Sequence, residues 1–302
     1  MRSRVKIVIN KVDPDSNSNN RKDFEVSDGV DINNGKSKDE NQHAILLRMF
    51  STSNVSDGSE VEILGWELRR LLKRLLRHIP DHTFLGDTVS FVSPFEHLVF
   101  NWDLLDAESR VEVGDKDDQR GHDDLRLLLD TLRANSGDEK LDNYFKLRES
   151  LKSSQSITFD NLWTIFPPGT LVYSRVFLKQ DQIFLVDDNL CCWPEYNERR
   201  KHTRWDLRCW TYDWDGKFFQ RRRIGLEIEY FEGARPISSL SVHPLKFNDS
   251  QEKVEQNLLR RGAIFRKYCA TLNGNKMFRY RGRCIVDKTG FHEPPKVLRG
   301  GV

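Results

Sequence analysis

The sequence predicts an α+β fold, in which a small helical subdomain precedes a β-rich subdomain that a C-terminal helix closes. Three observations carry this prediction. Leucines recur at helical spacing between residues 64 and 79, apolar and polar residues alternate between 205 and 230, and a second helical pattern follows residue 249. We expect the β-rich part to be an antiparallel meander or a barrel-like sheet.

The first 59 residues are expected to be a disordered tail. Between Asn10 and Gln42 the chain holds almost no large apolar residue, so this stretch cannot bury enough surface to offset the entropy of ordering it. A short apolar run, Ala44–Phe50, is compatible with a strand. A second polar stretch, Ser51–Ser59, separates this run from the folded part.

Residues 60–156 are expected to form a mainly helical subdomain. After a short strand at Val61–Leu64, a leucine-rich helix continues until Pro80 ends it. Two further helices are predicted after an acidic loop, at Leu125–Arg133 and Asp138–Leu151. Asp123 and Asp124 stand where a cap and the helix dipole favour carboxylates.

Residues 157–290 are expected to form the β-rich subdomain, and residues 291–302 a tail or linker. Residues 205–212 alternate with a period of two, and Asp215-Gly216 is typical of a hairpin turn. The return strand carries Ile224, Leu226 and Ile228 on one face. Asp249 and Glu252 have the spacing of a capping box, so we expect the closing helix to begin there. A last strand is expected at Met277–Val286.

Composition excludes several classes of protein. No apolar run reaches the length of a membrane-spanning helix, and the N-terminal apolar run is too short for a secretory signal. The chain has 5 cysteines, an odd number that fits a reducing compartment better than a disulfide framework. We therefore expect an intracellular protein, in cytoplasm or nucleus, without a membrane partner.

The net charge of +2 conceals an asymmetry between the two halves of the chain. Residues 1–156 hold 23 Lys and Arg against 29 Asp and Glu, whereas residues 157–302 hold 25 against 17. A basic half is compatible with nucleic acid, with an acidic protein partner, or with docking of the two halves on each other.

No motif for catalysis or cofactor binding is present in the sequence. It contains neither G-x-x-x-x-G-K-[ST] nor G-x-G-x-x-G, so a phosphate-binding loop is not expected. Cys191 and Cys192 are adjacent, and His202 and Cys209 follow at spacings that do not suit a zinc site. We therefore predict no catalytic residue, no metal site and no cofactor.

The strongest chemical feature is a basic and aromatic segment around the hairpin. Residues 199–223 hold nine Lys and Arg against three Asp. Aromatic rings stack on bases while arginines neutralise phosphates, so a nucleic-acid groove is one interpretation, and a hairpin with one core face and one cationic face is the other. The candidate interaction surface comprises Arg199, Arg200, Lys201, Trp210, Trp214, Arg221 and Arg223.

Several segments resemble an uncharacterised domain that precedes the ATPase module of large fungal AAA+ ATPases. Ile157-Thr-Phe-Asp-Asn-Leu-Trp163, followed by Phe166-Pro-Pro-Gly-Thr-Leu-Val-Tyr173, resembles its F-x-x-L-W…P-G-x-L-V-Y stretch. Residues 212–219 resemble its hairpin, residues 231–245 its next element, and residues 259–265 its helix. The resemblance covers about residues 61–287 and implies a fungal source and an N-terminal position in an ATP-driven machine.

Three functions follow as hypotheses. The first is a non-catalytic recognition or protein-interaction domain, with an unknown protein partner or adaptor, as the resemblance implies. The second is a nucleic-acid-binding module that uses the hairpin at residues 199–223. The third is a fragment of an ATP-hydrolysing AAA+ protein, although the motifs that bind ATP in that family are missing here.

Overall fold

The computed structural model describes residues 4–12, 22–25, 43–52, 55–77, 84, 89–177, 179–187, 204–214, 219–271, 277–280 and 283–286. The chain divides into two compact units, Met1–Ser153 and Ser154–Val302. Both contain helices and sheet, and the predicted α+β class is confirmed. No helix within these ranges is long and apolar enough to cross a membrane.

The first unit contains a five-stranded sheet with the order β2-β1-β3-β4-β5. Strands β1 and β3 are parallel to each other, and the other neighbouring pairs of strands are antiparallel. The strands are β1 (Val5–Val12), β2 (Lys22–Glu25), β3 (Ile45–Thr52), β4 (Val55–Ile63) and β5 (Val89–Val92).

Most of this sheet is formed by residues 1–59, which were expected to be a disordered tail. Strands β1 to β4 begin within that segment, and β4 continues across residue 60, so no boundary lies there. The prediction is correct that Ala44–Phe50 holds a strand, and Ile45 and Leu47 are fully buried in it. The apolar side chains of β3 find their partners in β4, where Val61 and Ile63 are also fully buried. The rest of the expected disordered tail, residues 13–21 and 26–42, lies outside the described residues.

Five α-helices also lie in the part of the first unit that the structure describes. They are α1 (Trp66–Leu75), α2 (Glu96–Phe100), α3 (Trp102–Ser109), α4 (Lys116–Ala134) and α5 (Glu139–Ser153). In α1 the leucine stripe is buried, as the helical spacing predicts. Its basic face pairs with acidic side chains, since Arg74 Nη2 lies 2.6 Å from Glu108 Oε1 and Arg70 pairs with Asp118.

Helix α4 begins nine residues earlier than predicted. Asp115 is its N-cap, and the side-chain carboxylate accepts hydrogen bonds from the backbone N–H groups of Asp117 and Asp118 at 3.2 and 3.0 Å. The expected acidic loop is therefore the first half of this helix. Asp124 is no cap but a buried residue of α4 that accepts a hydrogen bond from Arg4 Nη2 at 2.7 Å and forms an ion pair with the same guanidinium, which ties the start of β1 to α4.

The second unit contains a five-stranded antiparallel sheet with the order β10-β9-β8-β7-β12. Strands β7 to β10 form a meander, and β12 pairs with the other side of β7. The strands of this unit are β6 (Ser156–Thr158), β7 (Leu171–Ser174), β8 (Gln182–Val186), β9 (Arg204–Trp214), β10 (Phe219–Glu229), β11 (Ala234–Pro236), β12 (Val242–Pro244), β13 (Met277–Tyr280) and β14 (Arg283–Val286).

The barrel-like alternative is wrong for this sheet. Its edge strands β10 and β12 come near each other, but no hydrogen-bonded ladder joins them among the described residues, so the sheet is not a closed barrel. The antiparallel meander is confirmed. The expected last strand at residues 277–286 is instead two short strands, β13 and β14, that pair with each other.

One face of this sheet forms the core of the second unit. The inward ring of Trp205 lies 5.5 Å from the ring of Phe166, which directly follows a 3₁₀ helix at Phe159–Ile165. Leu162 and Trp163 of that helix are fully buried. We call this face of the sheet the inner face, and the opposite one the outer face. Helix α6 (Gln251–Thr271) begins two residues after the predicted Asp249. It lies over the outer face near Ile183 and Tyr212 and leaves a largely apolar groove of about 900 Å³ beside them.

Candidate functional site

The β9–β10 hairpin separates an apolar face from a charged one, as the period of two predicts. On the inner face, Leu207 pairs with Leu226 and Trp205 pairs with Ile228, and all four side chains are buried. On the outer face, Trp210 pairs with Arg223 and Tyr212 with Arg221. The hairpin is confirmed, while its predicted turn at Asp215-Gly216 lies outside the described residues.

The structure brings together three of the seven predicted surface residues. Trp210, Arg221 and Arg223 lie side by side on the outer face of the hairpin. The positions of Arg199, Arg200 and Lys201 lie outside the described residues. Trp214 ends β9 opposite Phe219, and its side chain is likewise outside the described part.

Trp210 is the centre of this cluster. The guanidinium carbon of Arg221 lies 4.0 Å from the centroid of the Trp210 ring, which is the geometry of a cation–π contact. The Tyr212 ring stands edge-on to the Trp210 ring at a centroid distance of 5.2 Å. We name the set formed by Trp210, Tyr212, Arg221 and Arg223 the aromatic–arginine cluster.

A carboxylate that the sequence analysis missed holds both arginines. Asp187 directly follows β8, and its side chain is only 4% exposed. Its carboxylate lies 3.0 Å from Arg223 Nε and 3.8 Å from Arg221 Nη2. The Asp187 backbone N–H donates to the Arg208 carbonyl at 2.9 Å, which fixes the residue beside β9. One feature of the sequence could have pointed to Asp187, since it is an acidic residue at the end of an apolar strand. Its separation from Arg221 and Arg223, 34 and 36 residues, does not show that they are neighbours.

A shallow cleft of about 470 Å³ lies next to the cluster. Gly225 leaves the space open, because a Cβ placed there meets no atom within 4 Å. The walls carry both signs of charge, and Arg204 bridges two of the carboxylates, at 2.7 Å from Glu227 and 3.6 Å from Asp206. The cleft is lined by Asp187, Asp206, Arg208, Arg223, Ile224, Gly225 and Glu227.

The cationic character that the sequence suggests for this segment is largely matched by local carboxylates. Arg222 points to the inner side and lies 3.4 Å from Asp213, while Arg221 and Arg223 share Asp187. The charge count for residues 199–223 does not include the carboxylates of Asp187 and Glu227, because these residues lie outside that segment of the sequence. The outer face of the hairpin is therefore a mixed-charge surface.

Cys209 lies on β9 next to Trp210, but its side chain faces away from the cluster. Its side chain is fully buried on the inner face. Burial, together with the nearby charge of Asp187, raises the pKa of the Cys209 thiol to about 12. The thiolate, which is the reactive form, is therefore scarce at neutral pH.

A second group of titratable side chains lies between β7 and β12. His243 is buried, its Nδ1 is 3.0 Å from the Leu240 carbonyl oxygen, and its ring lies 5.2 Å from the Tyr173 ring. Burial lowers the pKa of His243 below its usual value. The Tyr173 hydroxyl donates to Asp181 Oδ1 at 2.7 Å, and burial and this bond raise the pKa of Tyr173 to about 12. The group connects neighbouring segments of the sheet.

Metal ligands do not converge within the described ranges. No three or more His, Cys, Asp or Glu side chains there are placed so as to hold an ion. Acidic and basic side chains at the cleft instead form ion pairs, such as Arg223–Asp187 and Arg204–Glu227, and exposed guanidinium groups surround a half-buried indole ring. Such a surface suits reversible binding of a partner through ion pairs and aromatic contacts.

Comparison with known proteins gives one match. Residues 147–249 match a protein family described as a domain of unknown function (DUF7025). The match is about a third of the chain and contains β6 to β12, and thus the hairpin, the cluster and the cleft. No curated protein and no solved structure matches the chain.

Proposed function

We propose that this chain is a non-catalytic recognition domain that binds a protein partner through the outer face of the β9–β10 hairpin. The observation that carries the proposal is the aromatic–arginine cluster, which stands at the surface and is held from below by the buried Asp187. The resemblance to the region ahead of the ATPase module in fungal AAA+ ATPases supports it, since such regions select substrates or adaptors in other ATPases of that superfamily.

The composition of the cluster supports protein binding. Trp, Tyr and Arg are the residue types most enriched among those that carry the binding energy of protein interfaces. Asp187 and Trp210 restrict the two guanidinium groups before any partner arrives, so less side-chain entropy is lost on binding. The exposed Tyr212 ring adds apolar surface beside them.

The reactive side chains near the hairpin support a non-catalytic role. The Cys209 thiol is buried on the other face of the sheet, and its pKa is raised to about 12. His243 is buried against the Leu240 carbonyl. Neither side chain lines the cleft.

Capture from a cell extract tests the proposal, with the whole chain as bait. We expect Trp210→Ala to reduce recovery of the specific partner about tenfold or more, because it removes the central side chain of the cluster. Trp66→Ala is a matched control, since Trp66 is an exposed tryptophan of the first unit with Arg70 stacked at 5.0 Å. Equal recovery with both variants would contradict the proposal.

The second candidate is nucleic-acid binding by the basic aromatic hairpin. The pairing of Arg221, Arg222 and Arg223 with Asp187 and Asp213 disfavours it, because these two carboxylates offset most of the positive charge of the three arginines. We expect weak, salt-labile binding to single-stranded oligonucleotides. Submicromolar binding at physiological salt that is lost on replacing the three arginines with alanine would favour this candidate instead.

The third candidate, part of an ATP-hydrolysing protein, is tested by calorimetry. We expect no tight ATP binding by this chain, since it has no loop of backbone N–H groups of the kind that holds the β- and γ-phosphates. Micromolar, magnesium-dependent binding would support nucleotide chemistry in this chain.

A further inference from the structure

Strand β10 is an edge of its sheet. Among the described residues, β9 is its one paired strand: β12 comes near it, but no hydrogen bond joins another strand to its free side between Arg221 and Glu229. An edge strand presents a row of N–H and C=O groups that can pair with a strand from another chain. The question is which strand this edge fits.

The charges along this edge are complementary to themselves. Arg221 and Arg223 precede Gly225, and Glu227 and Glu229 follow it at the same spacing. All five residues point to the outer face, because the strand alternates with a period of two. In an antiparallel pair centred on Gly225, Arg221 would face Glu229 and Arg223 would face Glu227 of the second copy. Twofold symmetry makes each of these pairs occur twice.

The apolar side chains agree with this register. On the inner face, Ile224 of one copy would face Leu226 of the other. Opposite charges and β-branched or large apolar residues are favourable cross-strand pairs. The outer face therefore matches fully when Gly225 is at the centre. On the inner face the central Ile224–Leu226 pairs match, while Arg222, which pairs with Asp213 of its own chain, would lie opposite Ile228.

Other registers match less well. An antiparallel pair centred on Ile224 keeps only the Arg221–Glu227 pair, and one centred on Leu226 keeps only Arg223–Glu229. A parallel pair in register would place arginine against arginine and glutamate against glutamate, which is destabilising. Proteins often place charges of one sign on an edge strand to prevent pairing, whereas this edge carries both signs in mirrored order.

We propose that two copies of this chain associate through β10, antiparallel and centred on Gly225, so that their five-stranded sheets become one continuous sheet. The inference rests on the same hairpin as the proposed function and names a second copy as one of its partners. Arg223 contacts Asp187 through Nε and its side chain is 76% exposed, so its terminal N–H groups remain accessible to Glu227 of a second copy. A ladder of this size is a small interface, so we expect a weak dimer with a dissociation constant on the order of micromolar or above.

A charge-exchange experiment tests this register in the full chain by sedimentation velocity. The basic variant is Glu227→Arg with Glu229→Arg. The acidic variant is Arg221→Glu with Arg223→Glu, and it includes Asp187→Asn so that no buried carboxylate faces the new ones. Each variant alone should dimerise about tenfold or more weakly than the parent, because all its cross-strand pairs repel. An equimolar mixture should form a heterodimer, since every pair is then of opposite charge.

Lys253→Glu with Arg260→Glu is the control, since both side chains are exposed on α6 and away from the edge. This control should dimerise like the parent. Circular dichroism checks that each variant is folded. If the acidic variant does not fold, the basic variant alone and the cross-linking below still decide the matter.

Disulfide cross-linking tests the centre of the pair. Opposed residues of antiparallel strands have Cα atoms about 4.5–5.5 Å apart, within the range of about 4.4–6.8 Å that a disulfide spans. Gly225→Cys introduces a side chain into open space and should give a covalent dimer under mild oxidation. Asp206→Cys, exposed on β9 and one strand away from the edge, should not. Both variants share the parent's 5 cysteines as background.

Several outcomes would overturn the dimer: a parent that stays monomeric up to high concentration, a mixture that does not associate, or equal cross-linking at both positions. The proposed function fails separately, because its test variant, Trp210→Ala, lies on β9 and retains the backbone edge of β10 and all four of its paired charges. A monomeric chain whose partner is still lost with Trp210→Ala would remove the dimer and keep the recognition role.

Discussion

The two faces of the β9–β10 hairpin belong to the same pair of strands, yet different forces hold their side chains. On the inner face, Leu207, Cys209 and Leu226 are buried with no charged neighbour in the ladder. On the outer face, Arg221 and Arg223 pair with one buried carboxylate and remain exposed, and Arg221 stacks on the half-buried Trp210. The contrast teaches that one face is held by apolar packing, whereas ion pairs and a cation–π contact order the side chains of the other.

The largest expected effect is on the inner face. Leu207→Ala removes a fully buried side chain from the centre of the sheet, and we expect a loss of about 2–5 kcal/mol in the free energy of unfolding. Labelling of the Cys209 thiol across a urea gradient would report the unfolding of the second unit. Tyr212→Ala, on the exposed face, is the control, and an equal loss there would mean that the two faces do not differ as proposed.

A smaller loss of stability is expected when the buried carboxylate of Asp187 is removed. Asp187→Ala removes the acceptor that both arginines share, and we expect a loss of about 1–3 kcal/mol, the usual range for hydrogen bonds to charged groups. The same thiol labelling measures it. Asp206→Ala is exposed on the same cleft and should cost less than about 0.5 kcal/mol. If both substitutions cost the same, Asp187 is not the anchor of the cluster.

The consecutive residues Arg221, Arg222 and Arg223 alternate between the two faces, so their contributions to stability compare the faces directly. Strand alternation alone predicts that Arg222, on the packed side, carries most of the stability of the three. The structure reverses this expectation, because Arg222 makes a partly exposed pair with Asp213, whereas Arg221 and Arg223 neutralise a buried charge. Arg222→Ala should cost about 0–1 kcal/mol. The double variant Arg221→Ala with Arg223→Ala should lose more stability than Arg222→Ala. If urea midpoints show that Arg222→Ala is the less stable variant, Asp187 does not have the proposed role.

The smallest effect concerns the titration of Cys209. Its pKa in the folded protein is raised from 9.0 to about 12, so the contribution of the neutral thiol to stability is fully present below pH 9 and is lost as the pH rises toward 12. Between pH 7 and pH 8.5 we expect no change relative to Cys209→Ala. At about pH 10–11 the advantage of the parent should shrink, as urea unfolding at each pH would show. An advantage that grows with pH would contradict this sign.

Local patterns predicted the elements that depend on local chemistry. The alternation of residues 205–212 predicted which side chains of the hairpin are buried, and the leucine spacing predicted α1. Strand β1 was missed because its apolar residues are few and a long polar stretch follows them, although the run Val5-Lys6-Ile7-Val8-Ile9 is rich in β-branched residues. Its parallel partner β3 lies 40 residues further along the chain, beyond the reach of any local pattern.

The sequence by itself determined the α+β class, the two faces of the hairpin and the candidate residues Trp210, Arg221 and Arg223. Only the tertiary structure decided what those residues do. Asp187, which follows β8, lies 34 positions before Arg221 and 36 before Arg223, and the sheet brings it beside both arginines. Side-chain alternation is a property of each strand, whereas charge pairing depends on which strands become neighbours. The same basic segment that indicated a cationic groove is therefore a mixed-charge surface with an ordered aromatic centre.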